Sequence, residues 1–323
     1  MDVLMLTVHD WANTGWRFFK MAQMLGLDVQ AFKGYPHDFY YPEQIVIHPA
    51  LNGLENGLIY EVPDLMEWTE RAKVVHFFTS TLIVTGTNYE EKKIVMQHGG
   101  RTYRELHKEI NDTYNQFVDV SIIQMPDLSG LGCKNEQWIY YPVDTKFIKP
   151  DFKRRDPNKL VIGHFPSQGY KGTRTIVSVI DEFPQDRFIY IGIRQVSQEG
   201  IIRWYSNLQR MRECDVIIEN ALLDFKGLPY GEWGNTALEA AALGKIVITT
   251  CVNQDKYRAE FGELPILVAN GKDELRKQIQ YVLSISDKEI QALKEKHREW
   301  AETKHSLEVT SKRLWEKVYR SLL

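Results

Sequence analysis

The stretch from Leu228 to Thr250, LPYGEWGNTALEAAALGKIVITT, constrains this chain most. It reads as a glycine-rich loop, a short helix and a strand. Thr236 and Glu239 have capping-box spacing, which predicts a helix beginning at Thr236. Ala237 to Leu243 are good helix formers, and Gly244 stands where a left-handed cap is expected. Lys245–Thr250 then has the β-branched character of a buried strand. A helix that starts just after Gly231, Glu232 and Gly234 aims its unsatisfied N–H groups into the loop, which suits a phosphate.

The same strand, loop and helix pattern runs through the rest of the chain. Val3–Val8 is a buried strand, His9–Gly15 a loop and Trp16–Leu25 a helix ended by Gly26. Gly15 lets backbone come close to a ligand at the helix N-terminus. Further strands are expected at Asp28–Phe32, Gln44–His48, Val74–Phe78, Lys93–Gln97 and Val118–Gln124, with helices at Asp64–Ala72 and Arg101–Asp112. Strands alternating with helices imply a parallel sheet. His98-Gly99-Gly100-Arg101 follows a strand, at the edge where open α/β sheets bind ligands. The aromatic run Tyr35–Tyr41 reads as a packed loop, with an acceptor surface as its alternative.

Pro142, Pro150 and Pro157 punctuate a boundary, and the charged run Lys153–Asp156 looks like a solvated linker. The strand pattern restarts at Leu160–Gly163. A loop His164–Gly172 and a helix Thr173–Glu182 follow, then strands at Phe188–Ile191, Asp215–Glu219 and Ile266–Val268. Helices are expected at Lys272–Leu283, Asp287–Glu302 and Leu307–Leu322. The expected division is residues 1–145, 146–305 and a final helix over 306–323: two similar α/β domains about one cleft.

A length of 323 residues accommodates two such domains, and a net charge of −3 argues against an obligatory polyanionic partner, nucleic acid included. Residues 1–150 carry 13 Lys and Arg against 19 Asp and Glu, and the remainder carries 27 against 24. The positive excess therefore lies in the half with the glycine-rich loop, where an anionic ligand is expected. Three cysteines without metal-like spacing imply a reducing compartment. With neither a signal peptide nor an apolar span of membrane length in the sequence, the expected location is cytoplasmic. Contact with a membrane surface stays compatible with this reading.

Three motifs in order carry a family resemblance. They are Pro142-Val143-Asp144 with Phe147 and Pro150; Gly163 followed by Lys171-Gly172-Thr173; and Leu238-Glu239-Ala240 with Gly244 and Val247. The chain resembles the retaining, nucleotide-sugar-dependent glycosyltransferases of family 4. The resemblance implies a GT-B fold, two Rossmann-like domains with a C-terminal helix crossing back to the first. Two positions depart from the family pattern. The family has two glutamates eight positions apart, whereas Glu232 lies seven before Glu239, and His164 stands where the donor loop usually has arginine.

By this resemblance the activity is transfer of a hexosyl or pentosyl group from a UDP- or GDP-type sugar to an acceptor hydroxyl, with retention. No Asp-x-Asp motif lies near the site, so the transfer is expected to be metal-independent and without a cofactor beyond the nucleotide sugar. Lys171, Gly172, Gly234, Asn235 and Thr236 are the candidates for the diphosphate, Glu239 for the ribose and Gly15 for phosphate or sugar. His98 and Glu232 are the catalytic candidates, with His98 beside the transferred sugar and Glu232 orienting it. Asp10 and Arg101 are acceptor-side candidates, and Arg17 lies near the same loops. Each has a plainer reading: a loop lysine for Lys171, a helix cap for Glu239, a surface carboxylate for Glu232, a packed turn histidine for His98. The rival activities are a sugar-nucleotide epimerase or phosphorylase on the same fold, and a non-catalytic nucleotide-binding relative. Saccharide chains, lipid-linked sugars and small metabolites all fit as acceptor. A modified DNA base fits less well, because the first half has no basic track.

Overall fold

Apolar runs buried on both faces and joined by helices give two parallel sheets, one in each of two units of the chain. The computed structural model describes the whole chain except residues 55–56, 167–170, 193–195, 198–199, 226–227 and 230. Tyr230 of the glycine-rich stretch and the middle of the loop after His164 lie outside the described residues.

The first unit comprises Met1–Pro142 and Leu307–Leu323. Its sheet has seven strands in the order Val46–Ile47, Val29–Lys33, Val3–Thr7, Val74–Phe77, Lys93–Gln97, Val120–Ile123 and Glu136–Trp138. All six pairings are parallel. Side chains alternate between the two faces. Leu4, Leu6, Val75, Phe77, Ile94 and Met96 enter one core, and Val3, Met5, Val74 and Val95 enter the other.

That second core also takes Phe18 and Met21 from the helix Thr14–Met24, and Leu314, Val318 and Tyr319 from the chain's end. The last segment thus packs on the first unit. It is helical over Leu307–Lys317 and closes in a 3-10 turn at Tyr319–Ser321, so it is shorter than the helix expected to Leu322. Tyr319 Oη lies 2.7 Å from Nδ1 of the fully buried His76.

The second unit is Val143–Ser306. Its five-stranded sheet runs Phe188–Gly192, Leu160–His164, Val216–Ile218, Ile246–Thr249 and Leu267–Val268, again all parallel. This order reverses between Leu160–His164 and Val216–Ile218, which makes those strand ends the switch point. The helices Thr173–Ile180 and Lys272–Ser284 cover one of its two apolar faces.

The charged run Lys153–Asp156 has Lys153 and Arg155 exposed, as a solvated run requires, but the stretch just before it, from Thr145 to Asp151, is tied down through its backbone carbonyls. Arg298, buried on the helix Asp287–His305, donates to the carbonyls of Ile148 (2.7 Å), Thr145 (2.9 Å) and Ala242. Lys245 donates to the carbonyl of Asp151, and Lys294 pairs with Asp215 at 2.6 Å, both groups buried. Cations that look like surface charge are therefore used to satisfy carbonyls at a helix end and along an irregular segment.

Two helices carry weak signals in the sequence: Trp204–Arg212 and Gln254–Phe261. Among the described residues no helix is long and apolar enough to cross a membrane. All three cysteines are free thiols.

Candidate functional site

At the switch point of the second sheet a carboxylate absent from the expected site collects three donors. Glu219 directly follows the strand Val216–Ile218 and is buried. Its Oε1 accepts from Lys171 Nζ at 3.0 Å and from the Gly234 N–H at 3.1 Å. Its Oε2 accepts from Thr249 Oγ1 at 2.8 Å. Lys171, Gly234 and Glu219 thus form one constellation although they lie far apart in sequence.

Each loop is shaped for this approach. Gly172 has φ of 71°, and a Cβ there would meet the Ala221 carbonyl carbon at 2.7 Å, so glycine is required on both grounds. Gly172 also precedes the helix Thr173–Ile180 as its N-cap. A Cβ on Gly234 would lie 3.1 Å from Glu219 Oε1, so this glycine leaves room for the carboxylate at the start of the helix Asn235–Ala242. Asn235 and Thr236, on the first turn, are half-buried.

The capping box predicted for Thr236 and Glu239 does not form. Gly234 is the N-cap, without a side-chain cap bond, and the helix starts at Asn235. A capping box would need its acid three residues after the cap, where Ala237 stands. Glu239 lies two residues further on, buried, and its Oε1 accepts from Trp204 Nε1 at 2.9 Å. Gly244 does take the expected left-handed conformation, with φ of 73°.

Glu232 points to a different partner. Its Oε1 accepts from the backbone N–H of Asn253 at 3.2 Å and from Asn253 Nδ2 at 2.5 Å. His164 ends its strand buried, donating from Nδ1 to the Ile218 carbonyl (2.8 Å), with Thr173 Oγ1 2.9 Å from Nε2. Burial pushes its pKa down to about 4, so at neutral pH the ring is uncharged. The histidine in the usual arginine position therefore joins two strands and a helix start and supplies no cation.

In the first unit, Asp10 and Gly15 are brought together. Asp10 is buried, and its carboxylate accepts from the N–H groups of Gly15 (2.6 Å) and Trp16 (3.2 Å) at the start of the helix. Burial raises its pKa to about 6, against the pull of these bonds and of Lys33 and Arg17. Arg17 is buried and donates to the Pro142 carbonyl at 3.1 Å.

His98 is buried at the end of the strand Lys93–Gln97. Its ring stacks on Tyr103 with centroids 4.0 Å apart. Nδ1 lies 3.1 Å from Ser80 Oγ, and Nε2 has no hydrogen-bond partner among the described residues. Burial lowers its pKa to about 3, which makes it a neutral imidazole. Thr79 and Ser80 both hold positive φ, 60° and 57°, so the backbone facing His98 is strained. A Cβ on Gly99 would lie 3.2 Å from Thr79 Cα. Arg101 is exposed and pairs with Glu105, one helical turn on, at 3.3 Å. In the aromatic run, Tyr41 is buried and Tyr40 is 59% exposed.

These two Rossmann-like units define the GT-B class of fold. No family model matches the chain, and no curated protein matches it. Solved glycosyltransferase structures do share its fold. HepE of Anabaena in complex with UDP-glucose is similar at a TM-score of 0.67 and 12% identity, over 99% of this chain and 100% of that one. Sucrose-phosphate synthase of Thermosynechococcus elongatus is similar at 0.64 and 14%, over 100% and 99%. Trehalose-6-phosphate synthase, studied with bisubstrate glycomimetics for glycosyl transfer with retention, is similar at 0.65 and 8%, over 100% of both chains.

Proposed function

We propose that this protein is a glycosyltransferase that moves a sugar from a nucleoside-diphosphate sugar to an acceptor hydroxyl with retention, without a metal. The observation that carries the reading is the meeting of Lys171 Nζ with the N-terminus of the helix Asn235–Ala242 at a switch point of the second sheet. An ammonium and aligned N–H groups are what a leaving diphosphate needs as charge builds on it. Similarity of fold to HepE, whose complexes contain UDP and UDP-glucose, supports a uridine nucleotide as the first candidate.

In this reading the departing phosphate oxygen takes the proton of the acceptor hydroxyl on the same face of the sugar. His98 then needs no basicity. A neutral imidazole with an unpartnered nitrogen serves as a hydrogen-bonding contact for a sugar hydroxyl. Glu239 is assigned to the ribose hydroxyls, with one carboxylate oxygen oriented by Trp204. Glu232, tied to Asn253, is a weaker candidate for orienting the donor sugar. Gly15 gives its N–H to Asp10, so Asp10 is assigned to shaping that loop rather than to base catalysis.

The acceptor is proposed to be a saccharide or a lipid-linked sugar, and the location cytoplasmic. Incubation with a panel of UDP- and GDP-sugars and saccharide acceptors tests the function. Release of nucleotide with a glycosylated product is expected. Thermal stabilisation without turnover would instead assign a non-catalytic nucleotide-binding protein, and epimerised sugar nucleotide would assign an epimerase.

A further inference from the structure

The site proposed for the diphosphate already contains an anion. Lys171, a cation of that site, pairs with Glu219 at 3.0 Å. The Gly234 N–H, at the helix N-terminus, goes to the same carboxylate oxygen. Thr249 Oγ1 fixes the other oxygen, so the group is held from three separate elements. The Glu219 side chain is 2% exposed and that of Lys171 is 17% exposed. The carboxylate is thus the more deeply buried of the two groups.

We propose that Glu219 is the resident anion of the phosphate cradle, taking the Lys171 ammonium and the Gly234 N–H that a phosphate would otherwise take. It thereby limits how tightly an anion binds. The pair carries no net charge, and the neutral His164 adds none. An incoming phosphate must share Lys171 with a carboxylate that repels it at short range, in surroundings where screening is weak. The three hydrogen bonds give Glu219 a second effect: they hold the ammonium and the helix start in place between turnovers. Glu219 thus keeps the cradle ordered when empty and lowers its hold on a spent nucleotide. This inference rests on the reading of the cradle as a phosphate site, not on the identity of the nucleotide.

The test is calorimetric titration of the full chain with inorganic pyrophosphate and, separately, with UDP. Glu219→Gln keeps the shape and an acceptor for Gly234 while removing the charge. It is expected to bind pyrophosphate about tenfold tighter than the parent, with a steeper loss of affinity as salt rises. Thr249→Val loosens the carboxylate without removing it and is expected to tighten pyrophosphate about threefold, which decides the matter if Glu219→Gln does not fold. Unchanged or weaker pyrophosphate binding in the folded variants would overturn the inference and leave Glu219 a purely structural partner of Lys171. So would an absence of pyrophosphate binding in the parent and both variants. Tighter pyrophosphate binding with no UDP binding in any of the proteins would uphold the inference and reject the nucleotide reading.

Discussion

Trp204 Nε1 donates to Glu239 Oε1 across 2.9 Å, with both side chains buried. The bond links the helix Trp204–Arg212 to the helix that follows the glycine-rich loop, and it fixes the direction of a carboxylate assigned to ribose. Trp204→Phe keeps the apolar bulk and removes the donor. A loss of stability of about 1–3 kcal/mol is expected, because a buried carboxylate loses a partner. Nucleotide affinity should fall with it. A melting temperature and UDP affinity both equal to the parent's would remove Trp204 from the account.

Glu239 itself separates the two sequence readings. The helix starts without a capping box, so Glu239→Gln is expected to leave the cap unaffected. Nucleotide affinity should drop about tenfold or more, since a hydrogen bond from a charged group contributes about 1.5–3 kcal/mol. Calorimetry with UDP checks this. A fall in melting temperature with affinity preserved would return Glu239 to a structural role.

Asp10 gives a pH prediction. Its folded pKa of about 6 lies above the ordinary 3.8, so the folded chain holds this proton more tightly than the unfolded chain. The associated stability is present below about pH 3.8 and is lost as pH rises through about 6. Asp10→Asn should flatten the dependence of stability between those limits, as read from urea unfolding at a series of pH values. The same slope in parent and variant would contradict the assignment.

The neutral His98 contacts the transferred sugar in this account. His98→Ala should lower the turnover rate by about a hundredfold, by analogy with other lost transition-state contacts. Nucleotide binding should change far less. Turnover near the parent rate would make His98 a packing residue, held by Ser80 and Tyr103.

Much of the fold was legible because strands buried on both faces leave continuous apolar runs. Lys93–Gln97 is found at its expected bounds, and most other strands lie within two residues of theirs. The helix Trp204–Arg212 was missed because its residues are mostly polar and its buried side chains include Asn207. The loops that carry Lys171 and Gly234 were legible as glycine patterns, since Gly172 is required by its positive φ and close approach, and Gly234 leaves room for Glu219. Glu219 was not legible as part of the site. A carboxylate at a strand end looks solvated until the fold brings Lys171 and Gly234 to it from 48 and 15 positions away. The Thr236–Glu239 spacing misled for the opposite reason: it matches a local motif, but Gly234 holds the cap position and Trp204 takes the glutamate.

The central claim is that the second unit holds a nucleotide diphosphate through Lys171 and the helix N-terminus. Titration of the parent and Lys171→Ala with UDP and GDP, at low and at high salt, tests it most directly. The account predicts binding of one of the two nucleotides by the parent, weakened by salt, and affinity at least tenfold lower in the variant with little remaining salt dependence. Equal affinity in the folded variant, or no binding of either nucleotide by the parent, would contradict it.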